Sequence, residues 1–279
     1  MSWIQKLYET YNNCQSIIGM ESNDNEVPLL PICHTTQKAQ IEIVINAEGD
    51  FQRARVIPKN EARTIIPCTE SSGGRTSGEA PHPLCDKLQY LALGYSKRTG
   101  KNEQYTSSYI SQLERWCESQ FSDPKIIAIL KYIKGGTLIQ DLIDYRVFIT
   151  EKNGKLVQKW DKKKGEETPE IFGVLASQND AFIRWEVEIP GNKETKVWKD
   201  RTLWEKWICY YSDIKKNKAL CYVTGEDDFT AEQHPAKIRN DGDKAKLISS
   251  GKTRNKKGEI KVDDNCGFTF LGRFTNADQ

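Results

Sequence analysis

The chain has 279 residues, 37% hydrophobic and 10% aromatic, enough to fill the core of one large domain or two small ones. Its 41 basic and 39 acidic residues leave a net charge of +2, which argues against a freestanding nucleic-acid binder, since such domains are strongly basic. No apolar run approaches the length needed to span a bilayer, and the opening MSWIQKLYETYNNC lacks a signal-peptide core, so the sequence reads as cytoplasmic with no membrane partner.

Trp3, Ile4, Leu7, Tyr8, Tyr11 and Cys14 recur at helical spacing and predict an amphipathic helix from Ser2 to about Ile17. An acidic connector and PLLPICHTTQKA follow. QIEIVINAEGDFQRARVI then reads as a β-hairpin: Ile41, Ile43 and Ile45 alternate, AEGD turns the chain, and Gln52, Ala54 and Val56 share a face on the return. ARTIIP adds a short strand. Next comes ESSGGRTSGEAPHP, rich in glycine, proline and small hydroxyls, with Arg75 its one basic residue.

Beyond that loop the pattern turns helical. LCDKLQYLAL predicts one short helix, and Tyr105 to about Phe121 another, with Tyr109, Leu113, Trp116 and Cys117 on one side. SDPKIIAILKYIKGG carries Asp123 as N-cap, Pro124 in the first turn and Gly135 as the stop; TLIQDLIDY extends the block. YRVFIT and FIRWEVEI read as strands around a charged excursion. DRTLWEKWICYYSDIKK is an aromatic helix with Leu203, Trp207, Tyr210 and Tyr211 facing inward, and ALCYVTG reads as a buried strand. GKTRNKKGEIKVDD predicts a charged insertion or hairpin before a strand in CGFTFLGRF.

Strands and helices come in blocks, which favours an α+β fold: an N-terminal amphipathic helix, an antiparallel β-hairpin sheet, a central helical block and a second mixed β/α region. Sub-regions 1–145 and 146–279 are expected. The stop at TNADQ, with no cap or polar tail, reads as the boundary of a piece of a longer protein.

Chemistry finds little support. The eight cysteines, Cys14, Cys33, Cys68, Cys85, Cys117, Cys209, Cys221 and Cys266, form no C-x-x-C pair and meet only three histidines, so they read as reduced, buried thiols; no metal or cofactor is expected. SSGGRTSG lacks the G-K-[ST] ending of a phosphate-binding loop. Cys33 and His34 are neighbours, which on a strand point to opposite sides, a poor geometry for a nucleophile and its base. Asp227–Asp228 and Asp263–Asp264 read as solvated turns rather than as carboxylates converging on metal ions. The chain is not expected to be an enzyme.

Binding is better supported. Residues 1–50 hold two basic and seven acidic residues, whereas 51–101 hold nine basic and four acidic, so the glycine-rich loop sits in the basic part of the N-terminal third. Backbone N–H groups and short hydroxyls in such a loop can approach the acceptors of a DNA minor groove, with Arg75 reaching a phosphate or base edge. An ordinary surface loop fits the same composition. Arg53 and Arg55 project from one hairpin face, close in sequence to the loop.

MSWIQKLYETYNNC, PICHTTQKAQIEIVI, IIPCTESSGGRTSGEAPHPLCDKLQYLALG, HPAKIRNDGDKAKLISS and GFTFLGRF followed by ADQ resemble, from Met1 to Gln279, the large subunit of the type I-C CRISPR surveillance complex, Cascade, in the Csd or Dvulg-subtype family. Members are about twice as long, so the resemblance implies the N-terminal domain alone, without a C-terminal helical bundle. It implies no catalysis. The implied function is recognition of the protospacer-adjacent motif in double-stranded DNA, with aid to unwinding and to recruitment of the helicase-nuclease in antiviral defence. A docking module that reads no DNA is the alternative.

Implied partners are the subunit at the guide-RNA end, the backbone subunits, the CRISPR RNA ribonucleoprotein, target DNA and the helicase-nuclease. A motif-reading face is also an obvious target for a phage anti-CRISPR protein. The motif-reading loop corresponds to Gly74, Arg75, Thr76, Ser77 and Gly78, with Thr76 and Ser77 on base edges and Arg75 on phosphate or in the groove. Some relatives carry an amide in this loop where Ser77 stands, which would shift contact to Arg75 or to a bridging water. Gln37 and Lys38 of HTTQKAQ contact DNA or the neighbouring subunit, or else form only a strand entry. Lys252, Arg254, Lys256 and Lys257 are a further candidate backbone contact.

Overall fold

The computed structural model describes residues 3–20, 28–75, 78–101, 104–161, 167–216, 218–221 and 223–229, and the backbone of 252–254 and 260–262. In chain order the described elements begin with helix α1 (Trp3–Asn13), strands β1 (His34–Lys38), β2 (Ile41–Asn46), β3 (Phe51–Val56) and β4 (Arg63–Pro67), helix α2 (Glu70–Gly73) and strand β5 (Asp86–Lys87). Helices α3 (Leu88–Leu91), α4 (Tyr95–Thr99), α5 (Thr106–Cys117), α6 (Pro124–Gly135), α7 (Leu138–Asp144) and α8 (Glu170–Val174) follow. Strand β6 (Phe182–Glu188), helix α9 (Arg201–Ile214) and strands β7 (Lys218–Leu220), β8 (Asp227–Phe229), β9 (Lys252–Arg254) and β10 (Ile260–Val262) complete the order. The fold is mixed α+β, and no described helix is long and apolar enough to cross a membrane.

Two compact units divide the chain: Leu30–Lys215, and Met1–Leu29 with Lys216–Gln279. The expected division at 145/146 is not the one the chain makes, because β2 and β6, one from each side of it, pair in parallel. In the second unit, α1 buries no residue, β7 pairs with β8, and β9 with β10. Within GKTRNKKGEIKVDD, expected as a charged insertion or hairpin, two strands pair antiparallel, whereas Ala219 and Leu220 of ALCYVTG lie in the short strand β7, which is exposed instead of buried. The strand expected in CGFTFLGRF lies outside the described residues.

The first unit is built on a sheet of order β3-β2-β6-β5 and a separate antiparallel ribbon of β1 and β4. Ile41, Ile43 and Ile45 alternate as expected, and the Asn46–Asp50 turn closes the hairpin with Asp50 N–H donating to Asn46 Oδ1 at 2.7 Å. Gly49, at φ +82°, lets the turn approach α6, since a Cβ there would lie 2.7 Å from the Ala128 carbonyl oxygen. Helix α6 packs on β2 and β6, α5 on α6, and α3 on α5. Its Asp123 cap accepts from Lys125 N–H at 2.9 Å, and Gly136 rather than Gly135 takes the left-handed position past its end.

The opposite face of the sheet is polar. Glu42 stands between Arg55 and Arg184 in register across three strands, and Arg184 also reaches the Glu61 carbonyl at 2.9 Å and lies over the Trp198 ring at 3.9 Å. Burial raises the Glu42 pKa, but the hydrogen bonds and charges of the two arginines outweigh it and hold the carboxyl below its ordinary value.

Two local expectations give way to long-range pairing or capping. LCDKLQYLAL does not form one helix, because Asp86 and Lys87 pair with Ile183 and Phe182 of β6 before α3 begins. YRVFIT is not a strand: Arg146 turns left-handed at φ +59°, and the amides of Val147 and Phe148 both donate to the Leu142 carbonyl at the end of α7. ARTIIP is a strand, as expected, and pairs with HTTQK. The expectation of buried thiols holds among the described cysteines only for Cys85; Cys209 is exposed and the others are intermediate. Trp204 joins Leu203, Trp207 and Tyr210 in the buried face of α9, while Tyr211 is only partly buried.

Candidate nucleic-acid interface

The glycine-rich segment begins on a tight helical turn. Thr69 caps α2, its hydroxyl accepting from Ser72 N–H at 3.1 Å while Ser72 Oγ accepts from Thr69 N–H at 2.9 Å. Helix α9 holds the same point from outside: Tyr211 Oη accepts from Glu70 N–H at 3.1 Å, and Lys215 pairs with the Glu70 carboxylate at 2.6 Å.

Arg75 turns inward. Its Nη1 and Nη2 donate to the two Asp86 oxygens at 2.8 and 2.6 Å, Nη1 also reaches the Ala80 carbonyl at 2.8 Å, and the guanidinium lies 4.1 Å over the Tyr90 ring. Asp86 accepts twice more, from the His82 and Lys87 amides, both at 2.7 Å. The pair is shut away, with side-chain exposures of 8% for Arg75 and 0% for Asp86. Burial pushes the Asp86 carboxyl upward, opposed by Arg75 and the two amides. Tyr90 Oη donates to the Gly78 carbonyl at 2.6 Å, and Ser108 donates to Glu79. Both described flanks of the loop are thus tied down, at Arg75 and at Gly78 to His82. Thr76 and Ser77 lie outside the described residues.

The second candidate segment meets the first. Gln37 Nε2 lies 3.5 Å from His82 Nε2, so HTTQK and the glycine-rich loop are neighbours, linked through His82 to Asp86 and Arg75. Lys38 is exposed at the end of β1, opposite half-buried Arg63 of β4. Lys87 is exposed directly after Asp86.

HTTQK starts, and the glycine-rich loop ends, at a strained, core-anchored residue. Cys33 and Leu84 are left-handed without being glycine, at φ +58° and +65°. The Cys33 carbonyl accepts from Trp207 Nε1 at 3.1 Å and from Cys68 N–H at 2.9 Å. The Leu84 carbonyl accepts from Trp185 Nε1 at 2.7 Å and Tyr109 Oη at 2.6 Å. Such backbone costs of order 1–3 kcal/mol persist only where the surroundings fix them, and they cluster at functional sites.

The other sequence candidates fall elsewhere. Arg53 and Arg55 do share a face, but Arg53 pairs with Glu188 at 2.7 Å, and Arg55 with Glu42 at 2.6 Å and Glu61 at 3.1 Å. These carboxylates neutralise the cations that a phosphate would need. Lys252 and Arg254 lie on β9, in register with Val262 and Ile260 of β10; Lys256 and Lys257 lie outside the described residues. Sequence reasoning missed Asp86, Tyr90 and Leu84. The available signal was Asp86, a carboxylate close in sequence to Arg75 within a basic segment.

A family model described as CRISPR-associated protein (Cas_Csd1) matches residues 7–257. The chain belongs to that family. The match bears out the resemblance drawn from the five sequence blocks and makes this chain a CRISPR-associated protein. Comparison with curated proteins found no match. The family match takes in both HTTQK and the glycine-rich loop, the segments that the fold of this CRISPR-associated protein joins.

Proposed function

We propose that this CRISPR-associated protein reads a short motif flanking the target in double-stranded DNA, as the large subunit of a type I-C Cascade complex. The observation that carries the reading is the junction of the glycine-rich loop with HTTQK through His82, with Lys38 and Lys87 exposed beside it. A slim loop with small polar residues suits the minor groove, and flanking cations suit the phosphates. Long sequence reading is then left to guide pairing, and protein contacts read only the short motif. Help with unwinding and recruitment of the helicase-nuclease follow from that position at the start of the duplex. The reading assigns binding, and no chemistry, to the chain.

Near-neutral charge fits a component that works inside an assembly, where neighbouring subunits supply most of the phosphate contacts. The test is binding of the assembled complex to matched duplexes with intact or scrambled flanking motifs, at one salt concentration, for wild type, Thr76→Ala and Ser77→Ala. Loss of preference for the intact motif with assembly preserved supports the reading. Unchanged preference in both variants leaves a docking module.

A further inference from the structure

The sequence offers Arg75 as a hand for phosphate, but three of the five N–H groups of its guanidinium are already engaged inside the protein. Two of its nitrogens meet both Asp86 oxygens, a carbonyl takes a third hydrogen bond, and an aromatic ring covers one face. Asp86 is equally occupied, with two hydrogen bonds to each oxygen. Arginine is suited to this role because its planar fork matches a carboxylate in two places at once, which fixes direction as well as distance.

The placement of these bonds gives the pair a purpose beyond packing. Arg75 stands immediately before Thr76, and Ala80 and His82 stand shortly after Ser77. One carboxylate therefore fastens both sides of the tip, while Tyr90 touches both the guanidinium and the Gly78 carbonyl. A loop held in its bound conformation loses less entropy on binding and presents its groups in one register.

We propose that Arg75 and Asp86 are positioning residues for motif recognition: a buried latch that ties the two described flanks of the loop together, with Arg75 making no contact to phosphate. The proposal rests on the reading of this loop as the motif reader.

The two roles differ in salt dependence. Removing a phosphate contact lowers the slope of log affinity against log salt by about one and weakens all duplexes alike. Releasing a latch leaves the slope unchanged and erodes the preference between duplexes. The experiment uses the assembled complex and compares wild type, Arg75→Lys, Asp86→Asn, Thr76→Ala and Ser77→Ala on intact-motif and scrambled duplexes over a salt series. Arg75→Lys keeps the charge and loses the fork, so it tests the latch even where Asp86→Asn does not assemble.

The expected result is a fall of about tenfold in motif preference for Arg75→Lys, matched by Asp86→Asn, with scrambled-duplex affinity and salt slope unchanged. A merely structural role would instead lower binding to both duplexes together, and that result overturns the proposal. A normal preference in Arg75→Lys, with preference lost in Thr76→Ala or Ser77→Ala, also overturns the latch while the motif-reading function stands. Unchanged preference in all four variants overturns the motif-reading function itself.

Discussion

Glu42 and Arg184 are register neighbours on the parallel strands β2 and β6, and their side chains meet at 2.7 Å with only 5% and 4% exposure. Arg184 also reaches the Glu61 carbonyl just before β4 and Thr64 Oγ1 within it, at 2.9 and 3.4 Å. The polar face of the sheet therefore bonds directly to the segment leading into β4. Removing one partner of such a pair leaves a buried charge uncompensated. Glu42→Gln should cost about 3–5 kcal/mol in urea unfolding, and adding Arg184→Met should recover part of that loss.

The acid limb of stability should carry a histidine signature. Burial lowers the His34 pKa to about 4, although the Ile32 carbonyl, 2.8 Å from Nδ1, favours the protonated form. Between an unfolded value near 6.5 and that folded value, the unfolded chain binds a proton that the folded chain refuses. Stability from this group is thus complete above about pH 6.5 and is lost as pH falls toward 4, by up to roughly 3 kcal/mol. Glu42, also held low, extends the loss below the ordinary carboxylate range. Urea midpoints at pH 7, 6 and 5 should fall for wild type, and less steeply for His34→Gln.

Gly49 should tolerate no side chain. A Cβ meets the Ala128 oxygen at 2.7 Å, and φ +82° disfavours every L residue. Gly49→Ala is expected to destabilise by about 2–3 kcal/mol, from left-handed strain plus overpacking, as a lowered midpoint in urea. Gly191→Ala, equally left-handed but in open space, supplies the strain alone and should cost less.

Lys38 and Lys87 should behave as phosphate contacts. Lys38→Ala and Lys87→Ala are each expected to weaken binding of the assembled complex to intact and scrambled duplexes by the same factor, and to reduce the salt slope by about one. Loss confined to the intact motif would show a base contact instead.

What could be read from the sequence was what short spacing encodes. Alternating isoleucines with Ala-Glu-Gly-Asp gave the β2–β3 hairpin, and Asp123-Pro124 gave the start of α6, because each signal lies within a few residues of its effect. The loop and HTTQK were visible as compositions, but their meeting was not, since Gln37 and His82 are 45 residues apart. The same limit hid the destination of Arg75: charge and neighbours suggested an exposed cation, whereas Asp86 is delivered to it by pairing of β5 with β6. Arg53 and Arg55 looked free for the same reason, their acidic partners coming from β2, β6 and the Pro58–Ala62 turn.

The mounting of the loop has a consequence for how its sequence can change over time. The described bonds that hold it end on Arg75, Gly78, Glu79, Ala80, His82 and Leu84, and their partners lie in the body of the unit. A substitution at any of these anchors is therefore felt in the core of the unit, so variation in the described flanks of the loop is coupled to the stability of the fold.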